Sequence, residues 1–118
     1  MISFTAIATI PTGASQSQEM DFQGAGFTGF NLPASLDGAT SITFLASDVQ
    51  GGGWQKLTDG AGAEVALTVV AGVACAPTQA QMSVISPWRY MKLRLGTAAL
   101  PVVATAPRVI GIALKSYA

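Results

Sequence analysis

Few residues in this sequence have the type and spacing that catalysis needs. The 118-residue chain contains no histidine, which removes His-based triads and the commonest metal ligand. The one cysteine, Cys75, stands in the apolar run VVAGVACAP, so we expect a buried thiol without a disulfide partner. No Asp-x-Asp-x-Asp spacing indicates a calcium site.

Two pairs of acidic residues remain as candidates for acid–base chemistry. Glu19 and Asp21 would share one face of a strand, and Asp59 and Glu64 flank a turn. A glycosidase uses two carboxylates on either side of the scissile bond. Solvated acids on a strand edge or in a loop explain the same residues more simply. The sequence therefore predicts no catalytic residue, no cofactor and no metal ion.

Aromatic and basic residues are the candidates for binding. Tyr90, Lys92 and Arg94 alternate along one strand face, which could stack a nucleic-acid base. Six acidic and six basic residues cancel, however, so the chain offers no net attraction to nucleic acid or to an anionic membrane. Trp54 and Trp88 could serve as a sugar platform, but aromatic residues more often anchor a core or an interface. The residues that we predict to form a protein interface are Trp88, Tyr90, Arg94 and Arg108. The alternative is that these residues complete the protein's own core.

The stretch DVQGGGWQKLTDGAGAEV, residues 48–65, could be a phosphate-binding loop or a β-hairpin. A phosphate loop ends in Gly-Lys-Ser/Thr and is followed by a helix. Here the glycines continue into Trp-Gln-Lys, and the pattern that follows is not helical. A strand that ends at Ser47, a glycine-rich reversal and a second turn at Asp59-Gly60 fit a hairpin instead.

The rest of the chain alternates polar and apolar residues, with turn residues at intervals of roughly 8–12 positions, which is typical of an all-β sandwich or barrel. No long apolar stripe of helical period is free of Gly and Pro. We predict one domain, residues 1–118, folded as an antiparallel, jelly-roll-like β-sandwich with about nine strands and essentially no helix. The predicted strands lie near residues 2–10, 17–23, 29–33, 40–47, 54–57, 64–70, 72–76, 80–85, 89–95 and 108–116. The predicted core includes Phe44, Leu67, Val69, Met91, Leu93, Ile110 and Ile112.

Charged residues make up 10% of the chain, against a usual share of about a quarter, so the surface is poorly protected against self-association. All six acids precede residue 65, and five of the six bases follow residue 88. The two halves could face each other within one fold, they could occupy different surfaces, or they could mediate head-to-tail contacts between copies. The segment MISFTAIATI resembles a strand rather than a signal peptide, and no apolar run reaches the ~18 residues of a membrane span. We expect a soluble protein made in a cytoplasm.

Most of the chain also resembles a group of small virion proteins of tailed bacteriophages. The resemblance covers TIPTGASQSQEMDF, a short run ending Asn31-Leu32-Pro33, and a strand with Ile42-Thr43-Phe44 that leads into Ala46-Ser47-Asp48. It continues through the basic strand ending Arg94-Leu95-Gly96-Thr97, then Pro101 and a last strand that begins at Arg108. The triple glycine replaces a simpler Asp-Gly turn of the group.

The resemblance implies a non-enzymatic β-sandwich component of the virion, assembled in the host cytoplasm. The favoured role is that of a capsid decoration or head-fibre subunit that binds the major capsid protein. A homo-oligomer, with a trimer favoured, is implied as well. Two alternatives stay open: a tail-fibre, baseplate or head–tail junction subunit, and a carbohydrate-binding module that uses Trp54 or Trp88.

Overall fold

A computed structural model describes residues 2–22 and 25–116. These residues form an all-β fold of nine strands with one short helix, which confirms the predicted class. The strands are β1 (Ile2–Ile10), β2 (Met20–Asp21), β3 (Gly26–Asn31), β4 (Ser41–Ser47), β5 (Gln55–Lys56), β6 (Ala66–Thr68), β7 (Ala74–Cys75), β8 (Tyr90–Leu95) and β9 (Arg108–Ser116), and the helix is α1 (Gln79–Ile85).

The strands build two antiparallel sheets. Sheet A has the order β1-β9-β3-β7, and sheet B has the order β2-β8-β4-β5, with β6 also paired to β4. If β5 and β6 are counted as one interrupted strand, the first strand pairs with the last, the second with the second-last, and so on inward. That nesting of antiparallel pairs across two sheets is the jelly-roll arrangement, as predicted.

The core lies between the two sheets and is apolar throughout. All seven predicted core residues are buried. Three phenylalanines join the sheets: the ring of Phe44 on β4 lies 5.9 Å from that of Phe27 and 6.1 Å from that of Phe30, both on β3. A register shift between Phe27 and Gly29 explains why both β3 rings can face inward, because a bulge changes the alternation of side chains.

The strand predicted at residues 80–85 is wrong, because this segment is helix α1. Thr78 caps the helix: its hydroxyl accepts a hydrogen bond from the backbone N–H of Gln81, and the Gln81 side chain accepts one from the N–H of Thr78. Thr-x-x-Gln is the sequence signature of this capping box. Ile85 is buried and anchors the helix to the core.

The second predicted strand, residues 17–23, is shorter than expected. Only Met20 and Asp21 form β2, which pairs with β8, and Gln23 lies outside the described residues. The preceding residues still follow β8: the Ser17 N–H donates to the carbonyl of Leu93, and the Leu95 N–H donates to the carbonyl of Ser15. This segment therefore closes one side of the sandwich without regular strand geometry.

Candidate interaction surfaces

The four residues predicted to form an interface differ in exposure and in position on the fold. Trp88 is half-buried and packs against the core, and Tyr90 is half-buried at the start of β8. Arg94 is buried, with 8% of its side chain exposed. Arg108 begins β9 at the opposite end of the sandwich from Tyr90. Their role in an interface stays a prediction.

Arg94 is held by a network on the outer side of sheet B. Its Nη2 donates to the Glu64 carboxylate at 2.6 Å, and its Nε donates to the Thr43 hydroxyl at 3.1 Å. That hydroxyl donates to the carbonyl of Gly96. Glu64 also accepts the backbone N–H of Ala98 at 3.1 Å. The ion pair therefore fixes the start of the loop between β8 and β9.

Arg108 makes a bidentate ion pair with Asp37. Both distances between its nitrogens and the carboxylate oxygens are 2.8 Å, and the Thr105 hydroxyl donates to the same carboxylate at 2.6 Å. These hydrogen bonds, from Arg108 first and Thr105 second, hold the pKa of Asp37 well below its ordinary value of 3.8. They favour the charged form because each donor binds carboxylate better than carboxylic acid.

A third ion pair joins Arg89 to Asp21 at 2.8 Å, on an exposed part of sheet B. Each of the three pairs joins an acid from the first part of the chain to an arginine from the last part. At these three pairs the two halves of the chain face each other within one fold, which is one of the possibilities that the charge distribution left open. Arg94 and Arg108 thus meet acids of their own chain.

The glycine-rich stretch forms two hairpin turns, as predicted. Residues 48–54 reverse the chain between β4 and β5, and the buried Ser47 hydroxyl hydrogen-bonds to Val49 and Gly52 within this turn. The Gly51 N–H donates to Glu19 at 2.6 Å. At Asp59, one carboxylate oxygen accepts the N–H groups of Ala61 and Ala63 and so shapes the second turn.

The residues considered for chemistry are engaged in these structural contacts. Glu19 binds a turn, Asp21 binds Arg89, Asp59 caps its own turn and Glu64 binds Arg94. Among the described residues, no three potential metal-binding side chains lie together. Cys75 is half-buried rather than buried, because β7 is an edge strand of sheet A. Partial burial raises the pKa of the Cys75 thiol.

The two tryptophans lie in different surroundings. Trp54 has the Lys92 ammonium 4.8 Å from its ring centroid, so a cation already covers one face of the ring. Trp88 borders a cleft of about 300 Å³ that is also lined by Asp48, Gln55 and Thr58. This volume is at the lower limit of the clefts that hold small ligands.

One end of the sandwich exposes large apolar side chains. Four loops meet there, at residues 11–15, 32–40, 69–73 and 97–107, and the one charged residue among them is Asp37, which Arg108 neutralises. Leu100 is 77% exposed, Val70 63% and Val103 55%. Hydrogen bonds from Val69 to Thr40 and from Gly72 to Pro33 hold two of the loops together. We call Val70, Val73, Leu100 and Val103 the apolar end.

The prediction of interface residues did not include the apolar end. The signal was present in the sequence, since valine and leucine occur in segments that Gly and Pro mark as loops. A loop without charges is unusual because most loops lie at the surface.

In the part of the chain that the structure describes, no helix has the length and hydropathy to span a membrane. Comparison of the chain with protein-family models, with curated proteins and with solved structures finds no match.

Proposed function

We propose that this protein is a non-enzymatic structural subunit of a tailed-bacteriophage particle, and that it decorates the capsid by binding the major capsid protein. The observation that carries the proposal is the apolar end. Its four apolar side chains are each more than half exposed, and exposed apolar side chains grouped on one part of a surface mark sites of protein contact. The acids that could have served catalysis hold turns and ion pairs instead.

The jelly roll agrees with this proposal but does not select it. Jelly rolls occur in viral capsid domains and also in lectins, so the fold alone is an analogy. The station on the head, and the favoured trimer, rest on the resemblance of the sequence to small virion proteins. A tail-fibre, baseplate or head–tail junction subunit would use the same apolar end against a different virion protein.

Binding of the purified chain to capsids assembled from the major capsid protein of the same genome tests the proposal. Co-sedimentation should show saturable binding in many copies per capsid. Val103→Glu should weaken this binding by about tenfold or more, because a charge would be buried against an apolar surface. Val49 is 53% exposed, at the opposite end of the sandwich, and Val49→Glu is the matched control that should bind normally.

Equal binding by both variants would remove the apolar end from the proposal. Binding of the unmodified chain to tails or baseplates, and not to heads, would favour the alternative station.

A carbohydrate-binding function is the second candidate, and the cleft beside Trp88 is the observation that favours it. Asp48 and Gln55 offer hydrogen-bonding groups at its wall. If this candidate is correct, a glycan array should give specific binding that Trp88→Ala and Asp48→Asn abolish while the chain stays folded. An array without signal would exclude the carbohydrate-binding candidate, and the structural proposal would remain.

A further inference from the structure

Strand β1 is an edge strand of unusual length for this fold. It pairs with β9 over nine consecutive residues without a bulge. Every other edge strand among residues 2–22 and 25–116 has two or three residues. Proteins protect long edges with charges, proline, bulges or a covering segment, because a free edge pairs with other strands. The sequence of β1, ISFTAIATI, contains no charge, no proline and no glycine.

Among the described residues, only the Gln18 side chain covers this edge, and it covers only half of it. The Gln18 side chain accepts a hydrogen bond from the Thr9 N–H at 2.9 Å and donates one to the Ile7 carbonyl at 2.9 Å. The backbone groups of Ile7 and Thr9 therefore point away from β9. Since alternate residues of an antiparallel strand point to the same side, the backbone groups of Ser3 and Thr5 point outward as well. Gln18 does not reach them.

We propose that the outward edge of β1 at Ser3 and Thr5 pairs with the same edge of a second copy of this chain, as an antiparallel joint between two sheets A. This inference rests on the homo-oligomer of the proposed function but makes it a two-fold dimer in place of the favoured trimer, because a joint between two identical edges closes with two copies. With Ser3 of one copy opposite Thr5 of the other, the joint forms roughly four backbone hydrogen bonds. The two copies of Gln18, one in each chain, limit the register, because pairing beyond Thr5 would displace them from Ile7 and Thr9.

The charges around β1 favour a second copy over a charged partner. A residue close to a two-fold axis lies near its own copy, so a charge there would be repelled by the same charge of the second chain. No residue of β1 is charged, and the nearest cation on a neighbouring strand is Lys115, paired with Ser3. The two copies of Lys115 would be at least three strand spacings apart, about 14 Å, which is beyond the screening length at physiological salt.

In such a joint, the outer face of sheet A would continue from one copy to the other without a change in polarity. Thr5 and Ile7 are exposed on this face, and their partners on β9 are Ala113 and Gly111. An added β-carbon on Gly111 would lie 3.2 Å from the β-carbon of Asn31, so β3 requires a small residue there. The part of this face beside Thr5 and Ile7 is uncharged, Lys115 lies farther along it opposite Ser3, and two copies would extend the sheet to eight strands.

Sedimentation velocity of the purified chain at micromolar concentration tests the joint. We expect a dimer, and hydrogen exchange should show that the amides of Ser3 and Thr5 are protected at high protein concentration and exchange freely on dilution. Thr5→Pro removes an N–H that β9 does not use and should give a monomer, since proline is tolerated on the free side of an edge strand. Thr5→Val keeps this N–H and is the matched control, which should remain a dimer.

Thr5→Lys serves as a second variant in case the proline prevents folding. The substituted side chain lies on the exposed face and places two like charges near the axis, so it should weaken the dimer by about tenfold or more. A dimer that Thr5→Pro and Thr5→Lys leave intact overturns the proposal, as does a trimer with freely exchanging Ser3 and Thr5 amides. A monomer overturns both the joint and the homo-oligomer, while the capsid-binding test with Val103→Glu still decides the proposed function.

Discussion

Arg94 shows how a single residue can be charged, buried and structural at once. Its guanidinium contacts the Glu64 carboxylate and the Thr43 hydroxyl, and its side chain is almost fully covered. Removing one partner of a buried ion pair leaves the other charge without compensation. Arg89 makes a similar ion pair with Asp21, but 57% of its side chain is exposed to solvent.

Arg94→Ala should lower the free energy of unfolding by about 3 kcal/mol, because Glu64 would be left partly buried and unpaired. Arg89→Ala, the matched control, should cost much less than Arg94→Ala, since solvent screens an exposed pair. Chemical denaturation at fixed protein concentration measures both. Equal losses would mean that the Arg94 network contributes no more than a surface ion pair.

The Asp37–Arg108 pair makes the free energy of unfolding depend on pH in the acidic range. Because the pKa of Asp37 is lowered in the folded protein, the pair stabilises the fold fully above the pKa of Asp37 in the unfolded chain. As pH falls below about 4, the unfolded chain takes up a proton at this site before the folded protein does, and the stabilisation is lost.

The measurement is the free energy of unfolding between about pH 6 and pH 2.5. The unmodified protein should exceed Asp37→Asn in stability at the upper end, and the difference should shrink as pH falls below about 4. A difference that stays constant over this range would show that the pKa of Asp37 is not lowered by folding.

At the scale of elements, the loops of the apolar end depend on a close approach at Gly96. Its φ is +79°, a conformation that favours glycine, and an added β-carbon would clash with the carbonyl oxygen of Leu100 and lie 3.1 Å from the N atom of Val102. Gly13 has nearly the same φ, +83°, but an added β-carbon there would meet no atom within 4 Å. Alanine substitutions at these two glycines therefore separate the cost of backbone strain from the cost of steric clash.

Gly96→Ala should therefore destabilise the protein by about 3 kcal/mol, the sum of strain and clash. Gly13→Ala should cost only about 1 kcal/mol, for the strain alone. Thermal or chemical unfolding distinguishes them. If the two variants lose the same stability, the loop that contains Leu100 is not locked by this contact.

Local patterns predicted the strands well where one face is apolar. In β8 and β9, alternation located the strand within one residue at each end and assigned Met91, Leu93, Ile110 and Ile112 to the core correctly. Helix α1 was missed because seven residues are too few for an apolar stripe, and its capping box at Thr78 is the stronger signal. A short helix is decided by its cap and by what it packs against.

The sequence was less informative about surfaces, since these depend on which distant segments meet. Arg94 has the alternation of an exposed strand residue, but Glu64 and the β8–β9 loop cover it. Both faces of β4 are also buried, which the alternation of its residues does not predict. The predicted interface residues therefore include two arginines that the fold itself pairs.

On the scale of the whole molecule, the uneven placement of charge along the chain becomes an uneven placement on the surface. The three ion pairs neutralise acids and arginines across the fold, and the apolar end keeps no unpaired charge in its four loops. The lysines, which form no ion pair with another described residue, lie elsewhere: Lys56 and Lys92 on sheet B and Lys115 on sheet A. Such a molecule has one end suited to an apolar partner, and its other surfaces combine these lysines with the exposed apolar side chains of Ile7, Val49 and Val109.

The central claim, that the chain is a structural subunit of a phage capsid, is tested most directly by quantitative mass spectrometry of purified particles from the phage whose genome encodes it. Heads and tails should be separated before the chain is counted relative to the major capsid protein. The account predicts many copies of the chain per head, at a fixed ratio to the major capsid protein. Purified particles that lack the chain, from infected cells in which it is abundant, would contradict the claim.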